Sequence, residues 1–217
     1  MQYYFWATYR RKLLDQIQNQ YRTVYRGTVL DIGGRDRGNF VKPKNDVLKW
    51  IFADIDIKYA PDILLDVTDM PQIQTGSIDV VNAIELFEHV NNIEAGLREC
   101  SRVLKTGGNL ILSAPFLFPV HADPFDYQRW TEEKWRMILR HSSFSVKRCV
   151  IMGTYFLVWG DMTRSLIKSL PFGLRHLGYL LFPFLDLITK FDSWPVVKNN
   201  NLLNSYHGGY FIVAEKK

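Results

Sequence analysis

Apolar runs suited to burial on both faces alternate along this chain with helical patterns, which constrains it to a mainly parallel sheet with helices packed on its faces. The runs fall at Thr28–Ile32, Trp50–Ile55, Asp62–Leu65, Ile78–Ala83 and Asn109–Ser113. A helix is expected over Tyr4–Tyr21, and a second over Ile93–Leu104, ended by Gly107-Gly108. Thr131 followed by Glu132 and Glu133 reads as an N-cap with an acidic first turn, opening a helix to about His141. Two late strands, Phe144–Ile151 and Tyr210–Ala214, enclose an insert.

The 217 residues, 47% hydrophobic and 23% charged, suit one sizeable core. A single domain over 1–217 is expected, with an N-terminal helix in 1–25, a core over 26–151, a helical insert or lid over 154–195 and a closing strand at 209–215. A net charge of +5 favours anionic partners such as phosphates or a membrane surface. Two cysteines, Cys100 and Cys149, cannot make a disulfide framework, so a reducing cytoplasmic compartment is expected. The aromatic stretch Tyr3–Tyr9 precedes Arg10-Arg11-Lys12, the reverse of a secretory signal's charge order.

The run Val29-Leu30-Asp31-Ile32-Gly33-Gly34-Arg35-Asp36-Arg37-Gly38 places a carboxylate and bare glycine backbone together at a strand's C-terminal edge, where an open α/β sheet binds its ligand. A dinucleotide turn would read G-x-G-x-x-G after an uncharged strand end, to receive a pyrophosphate. Position 35 is arginine instead, and Asp31 would repel phosphate while favouring an ammonium or sulfonium group. S-adenosylmethionine has both cations, whereas a nicotinamide cofactor fits poorly. Further carboxylates follow at strand ends. Asp54, with Ile55 beside it, lies some twenty residues past the turn, the spacing at which an acid accepts both hydrogen bonds from a ribose diol. Asp66 suits an adenine amino group, with the Val67 backbone N–H serving a ring nitrogen.

These blocks in order, together with Met70-Pro71, Ile78-Asp79-Val80-Val81 running to Phe87-Glu88-His89-Val90, and Arg102-Val103-Leu104-Lys105-Thr106-Gly107-Gly108, resemble the class I S-adenosylmethionine-dependent methyltransferases over roughly 26–151. The resemblance implies an α/β, Rossmann-like, seven-stranded mainly parallel sheet with helices on both faces, a helical insert before the last strand, and that last strand antiparallel. It also implies S-adenosylmethionine as cofactor, with Asp31, Gly33 and Gly34 near its methionine end, Asp54 and Ile55 at the ribose, Asp66 and Val67 at the adenine, and Glu85 to His89 lining the pocket below. Arg35 stands where the family has glycine, and the third glycine is displaced to Gly38. Arg35 either turns outward to an anionic substrate or marks a turn that has drifted from cofactor binding.

The stretch Pro115 to Trp130 leaves the fifth strand with polar groups inside aromatic walls. Methyl transfer to a hydroxyl needs alignment and a base, and histidine titrates in the right range. His121 is the candidate base and His89 its rival; Asp123, Asp126 and Tyr127 would orient the ring or contact substrate hydroxyls, and Arg129 suits a phosphate or carboxylate. The competing reading packs this loop on itself, with Arg129 paired to Asp126. No metal is expected, since the His121, Asp123, Asp126 spacing holds no second histidine.

The loop also resembles a methyltransferase branch of bacterial cell-surface glycan and natural-product pathways. That implies O-methylation of a sugar hydroxyl on a glycan, nucleotide-linked or lipid-linked precursor; the alternatives are a small natural product as acceptor, or a non-catalytic binding module. Nucleic acid is not expected as a partner, because Asn82-Ala83-Ile84-Glu85 lacks the Pro-Pro-aromatic signature of amino-methylating members. In 154–195, Met162, Leu166, Ile167 and Leu170 share one helical face with Arg164 and Lys168 off it, and Leu174, Leu177, Leu181, Phe184 and Ile188 continue the spacing, interrupted at Pro183. Two readings stand: a lid or homodimer face over the pocket, or an interfacial surface resting on the inner membrane face and giving access to a lipid-carried substrate.

Overall fold

A computed structural model describes residues 2–34, 38–121 and 125–217. Seven strands form one sheet: β1 (Gly27–Ile32), β2 (Val47–Asp54), β3 (Ile63–Leu64), β4 (Ile78–Ile84), β5 (Leu104–Pro115), β6 (Phe144–Ile151) and β7 (Gly209–Lys216), in the order β3-β2-β1-β4-β5-β7-β6. All neighbours are parallel except β7, which runs antiparallel between β5 and β6. The expected seven-stranded α/β sheet with a reversed closing strand is therefore present. The strand order turns back between β1 and β4, which opens a crevice at their C-terminal ends.

Period-two alternation divides the core into two layers. Leu30, Val81 and Leu112 face one side, packed with Leu97 and Cys100 of α3 (Ile93–Val103) and Trp135 and Ile138 of α4 (Glu132–His141). Their neighbours Val29, Val80 and Ile111 face the other side, against Leu14 and Ile17 of α2 (Tyr9–Gln20) and Tyr25. Thr131 caps α4 as expected, its side chain accepting from the Lys134 N–H.

Several expectations are corrected. The single helix over Tyr4–Tyr21 is two, α1 (Gln2–Trp6) and α2. Thr8 sits in extended backbone between them, and its hydroxyl accepts from the Arg11 N–H, starting a new helix. Gly107-Gly108 do not end the helix over Ile93–Leu104: α3 passes directly into β5 at Leu104. The glycines lie where the β4 register jumps from Ile78↔Leu104 to Val80↔Asn109, and Gly107 takes a left-handed φ of 75° there. In the insert, Pro183 does not interrupt a helix; it lies in the first turn of one.

The insert consists of α5 (Tyr155–Ser169), α6 (Phe172–Gly178), α7 (Phe182–Thr189), α8 (Pro195–Lys198) and α9 (Asn201–Ser205), so it extends beyond 195. The inward face of α5 is the one bearing Arg164, which is 1% exposed, while Met162 and Leu166 point outward. Arg164 stacks on Phe182 and donates to the Tyr4 carbonyl, so a cation expected on the solvent face is the centre of the contact with α1.

Candidate active site

Gly33 takes a φ of 69°, which lets the chain turn off β1 without the strain a side chain would bring. Asp31 lies beneath that turn, 2% exposed. Its carboxylate accepts from Trp50 Nε1 at 2.9 Å and Asn82 Nδ2 at 2.6 Å, tying β1 to both neighbours. A Cβ on Gly34 would stand 2.0 Å from Asp31 Oδ1, so the backbone of the turn rests on this carboxylate. Gly38 is held in the same way against Asp15, which also accepts from the Asn39 N–H at 2.8 Å. Arg35 lies outside the described residues.

The C-terminal rim of the sheet borders a cleft of about 670 Å³, within the range usual for small-molecule sites. Ile32, Gly33, Asp54, Ile55, Asp66, Val67 and Glu85 line it from the strand ends. Asp31 and Gly34 do not line it: Asp31 is spent on Trp50 and Asn82 and supports the turn from below. Asp54 is 4% exposed and accepts from the Asp56 N–H. Asp66 is exposed at the cleft and accepts from the N–H and hydroxyl of Thr68, each at 2.8 Å.

Opposite the strand tips, Trp6, Thr8, Arg10 and Arg11 close the cleft from the N-terminal helices. Arg10 pairs with Glu85 at 2.5 Å and lies over the Phe118 ring. Glu85 adopts a left-handed φ of 53° and accepts from the Ser113 hydroxyl at 2.7 Å. Burial opposes its charge, but Arg10 and Ser113 outweigh burial and hold the carboxyl below its ordinary range. Glu88, 1% exposed, has the opposite fate: burial, then the neighbouring Glu85 charge, push its carboxyl well above the usual range.

The far end of the cleft carries both histidines with Phe118, Phe125 and Tyr127. The loop after β5 is pinned to the turn after β4: the Tyr127 N–H donates to the Glu88 carbonyl at 2.8 Å, and Gln128 Nε2 donates to the Val90 carbonyl at 2.7 Å. His89 Nδ1 lies 2.6 Å from the Phe125 carbonyl, to which it donates, and Nε2 stands 3.8 Å from Glu88 Oε1. The His121 ring meets the His89 ring edge to face at 5.1 Å, with its own Nδ1 3.2 Å from the Pro119 carbonyl.

Asp126 and Arg129 form a two-armed pair inside the loop, with Asp126 also accepting from the His121 N–H at 2.9 Å. Arg129 first, with the His121 N–H assisting, pulls the Asp126 carboxyl down to about 2 against burial. Asp126 and Arg129 bind each other, as in the reading that packs the loop on itself, and Tyr127 lines the cleft. Asp123 lies outside the described residues. Arg10 lines the cleft without any assignment from the sequence, whereas Glu88 belongs to the Glu85 to His89 stretch expected at the pocket.

Residues 45–112 match the family described as "Methyltransferase domain". A curated relative, the ubiquinone biosynthesis O-methyltransferase of Xanthomonas oryzae pv. oryzae, is 49% identical over 47 residues; that segment is 22% of this chain and 20% of the enzyme. The match thus spans about a fifth of that relative. Among solved structures, the [4+2]-cyclase SpnF aligns with a TM-score of 0.62 at 14% identity, covering 93% of this chain and 81% of the cyclase. Phosphoethanolamine N-methyltransferase 2 of Haemonchus contortus, solved with S-adenosyl-L-methionine, aligns with a TM-score of 0.57 at 12% identity over 94% of this chain and 52% of that one.

The chain has the class I methyltransferase fold. The domain match covers residues 45–112, and the solved structures, at 12–14% identity, share the fold. The cyclase shows that the sheet alone does not fix the reaction, so the acceptor chemistry has to come from the cleft.

Proposed function

We propose that this chain transfers a methyl group from S-adenosylmethionine to a hydroxyl of its acceptor, a sugar hydroxyl on a glycan, nucleotide-linked or lipid-linked precursor. The observation that carries this reading is one cleft lined both by carboxylates at the strand tips and by two imidazoles. The cofactor supplies an electrophilic methyl on a cationic sulfur. Asp54 would accept from its ribose, Asp66 and Val67 would take the adenine, and Gly33 would let the methionine end approach bare backbone. Asp31 contributes by holding that turn. The acidic tips favour the positive sulfonium and ammonium groups through simple charge attraction.

The acceptor hydroxyl would meet the histidines, whose rings line the cleft. The aromatic walls of Phe118, Phe125 and Tyr127 suit the apolar face of a sugar ring. The small natural product stays as the alternative acceptor.

Calorimetry with S-adenosylhomocysteine, paired with transfer of labelled methyl into fractionated cell extract, tests this reading. Asp54→Ala is expected to abolish nucleoside binding, and His121→Ala to keep it while turnover falls at least tenfold. Failure of wild-type protein to bind S-adenosylhomocysteine would leave the fold as a binding module, and full turnover by His121→Ala would remove His121 from the reaction.

A further inference from the structure

We propose that Glu88, His89 and His121 form a divalent-cation site at the histidine end of the cleft. Each offers one ligand atom, and these atoms all lie within 4.8 Å of one another. Metal–nitrogen and metal–oxygen bonds of about 2.1 Å place neighbouring ligands roughly 3–4 Å apart, so a small movement of His121 closes the site. His121 is free to make it, its side chain being 39% exposed at the end of a loop segment.

Glu88 points to a ligand independently of the clustering. It is 1% exposed, and neither carboxylate oxygen receives a hydrogen bond. The nearby guanidiniums are matched elsewhere, Arg10 with Glu85 and Arg129 with Asp126, and His89 Nε2 stands 3.8 Å from Glu88 Oε1. A buried carboxylate whose oxygens receive no hydrogen bond is costly unless it takes up a proton or a cation, and the imidazole nitrogens beside this one suit a metal cation.

The outer contacts are those of metal-bound imidazoles. A ligating histidine commonly donates its second ring nitrogen to a backbone carbonyl or carboxylate. His89 Nδ1 has the Phe125 carbonyl at 2.6 Å; His121 Nδ1 has the Pro119 carbonyl at 3.2 Å and Asp126 Oδ2 at 3.4 Å. Two imidazoles and one carboxylate favour Zn²⁺, Co²⁺ or Mn²⁺ over Mg²⁺ or Ca²⁺, which prefer all-oxygen sets. Three protein ligands leave a position open toward the cleft, as in catalytic rather than structural sites.

The ion's role rests on the proposed methyl transfer, although its binding does not. An acceptor oxygen in the open position would lose its proton to solvent more readily, because the ion stabilises the resulting alkoxide, and the histidines would then serve as ligands rather than as bases. The favoured acceptor therefore presents a hydroxyl, or two adjacent ones, to a metal.

Chelator-treated full-length protein titrated with Co²⁺ and Zn²⁺ by calorimetry and visible absorption, without nucleoside, tests the site. Wild type is expected to bind one ion with the absorption of a four- or five-coordinate cobalt centre. Glu88→Gln and His121→Ala are each expected to weaken binding tenfold or more, and His176→Ala, in the insert, to leave it unchanged. Since Glu88→Gln replaces a buried group and its folding is in question, the exposed His121→Ala decides independently. Absence of stoichiometric binding, or binding unaffected by His121→Ala, overturns the site. S-adenosylhomocysteine binding is read separately, so loss of the ion site and loss of the methyltransferase reading give different results.

Discussion

Gly34 shows at residue scale what the glycine turn requires. An alanine Cβ there would overlap Asp31, whose carboxylate cannot swing away because Trp50 and Asn82 hold both oxygens. Gly34→Ala is expected to cost about 1–3 kcal/mol through overpacking and to weaken S-adenosylhomocysteine binding, measured by thermal melting and calorimetry. An unchanged melting temperature would mean that the carboxylate yields. Asp54 and Asp66 could be read from sequence because strand-end acids follow a glycine turn at a set distance. Asp31 was legible as a residue of the turn but not in its role, since its partners Trp50 and Asn82 arrive from β2 and β4. The pairing of Arg10 was hidden for the same reason, since Glu85 reaches it from the end of β4, whereas Glu88 lay in a stretch already assigned to the pocket and the Asp126–Arg129 pair was one of two readings of its loop.

Among the elements, α3 does more than cover the sheet. Glu99 accepts from the Met70 N–H at 2.7 Å, and Arg102 donates to the Met70 and Ile73 carbonyls at 2.7 and 2.9 Å, fastening the segment that follows the Asp66–Val67 tip. Arg102 foremost, with the Met70 N–H and against burial, holds the Glu99 carboxyl below its ordinary range. Its stabilising contribution is therefore fully present above the unfolded carboxyl's pKa and disappears as pH falls through the lower, folded value. Glu99→Gln is expected to melt earlier than wild type at neutral pH, and the gap to close in acid; a gap independent of pH would refute the linkage. Element positions were legible wherever period-two apolar runs or caps marked them, as at β6 and α4. The split between α1 and α2 was less visible because it is enforced from afar: Asp161 of α5 accepts from the Tyr9 and Arg10 N–H groups at 2.6 and 2.9 Å. Asp192 likewise receives the Thr154, Phe156 and Leu157 N–H groups at the start of α5. The orientation of α5 was misread because its buried face is built around a cation.

On the scale of the molecule, the insert presents an unusual surface. Phe172, Leu174, Leu177, Leu180 and Phe184 are each more than half exposed. The carboxylates in 154–195 are Asp161, Asp186 and Asp192, and all are turned inward onto hydrogen-bond donors, while Lys190 stays exposed. No helix among the described residues is long and apolar enough to cross a membrane. An apolar face beside the exposed Lys190, with its acids turned inward, suits the surface of an anionic bilayer. The protein is expected to sediment with anionic vesicles and less with neutral ones, and Leu177→Glu with Leu180→Glu to reduce the bound fraction severalfold; no sedimentation of wild type would reject a membrane contact.

The reversed closing strand has a bearing on how such a chain diversifies. Ile151 at the end of β6 stands beside Tyr210 at the start of β7, so the two ends of the intervening excursion are already neighbours at the rim above the cleft. Loop closure there costs only slowly more as the excursion lengthens. Its helices can be exchanged, trimmed or extended without disturbing the ladder beneath, which makes this junction a natural port for retargeting one scaffold to new acceptors.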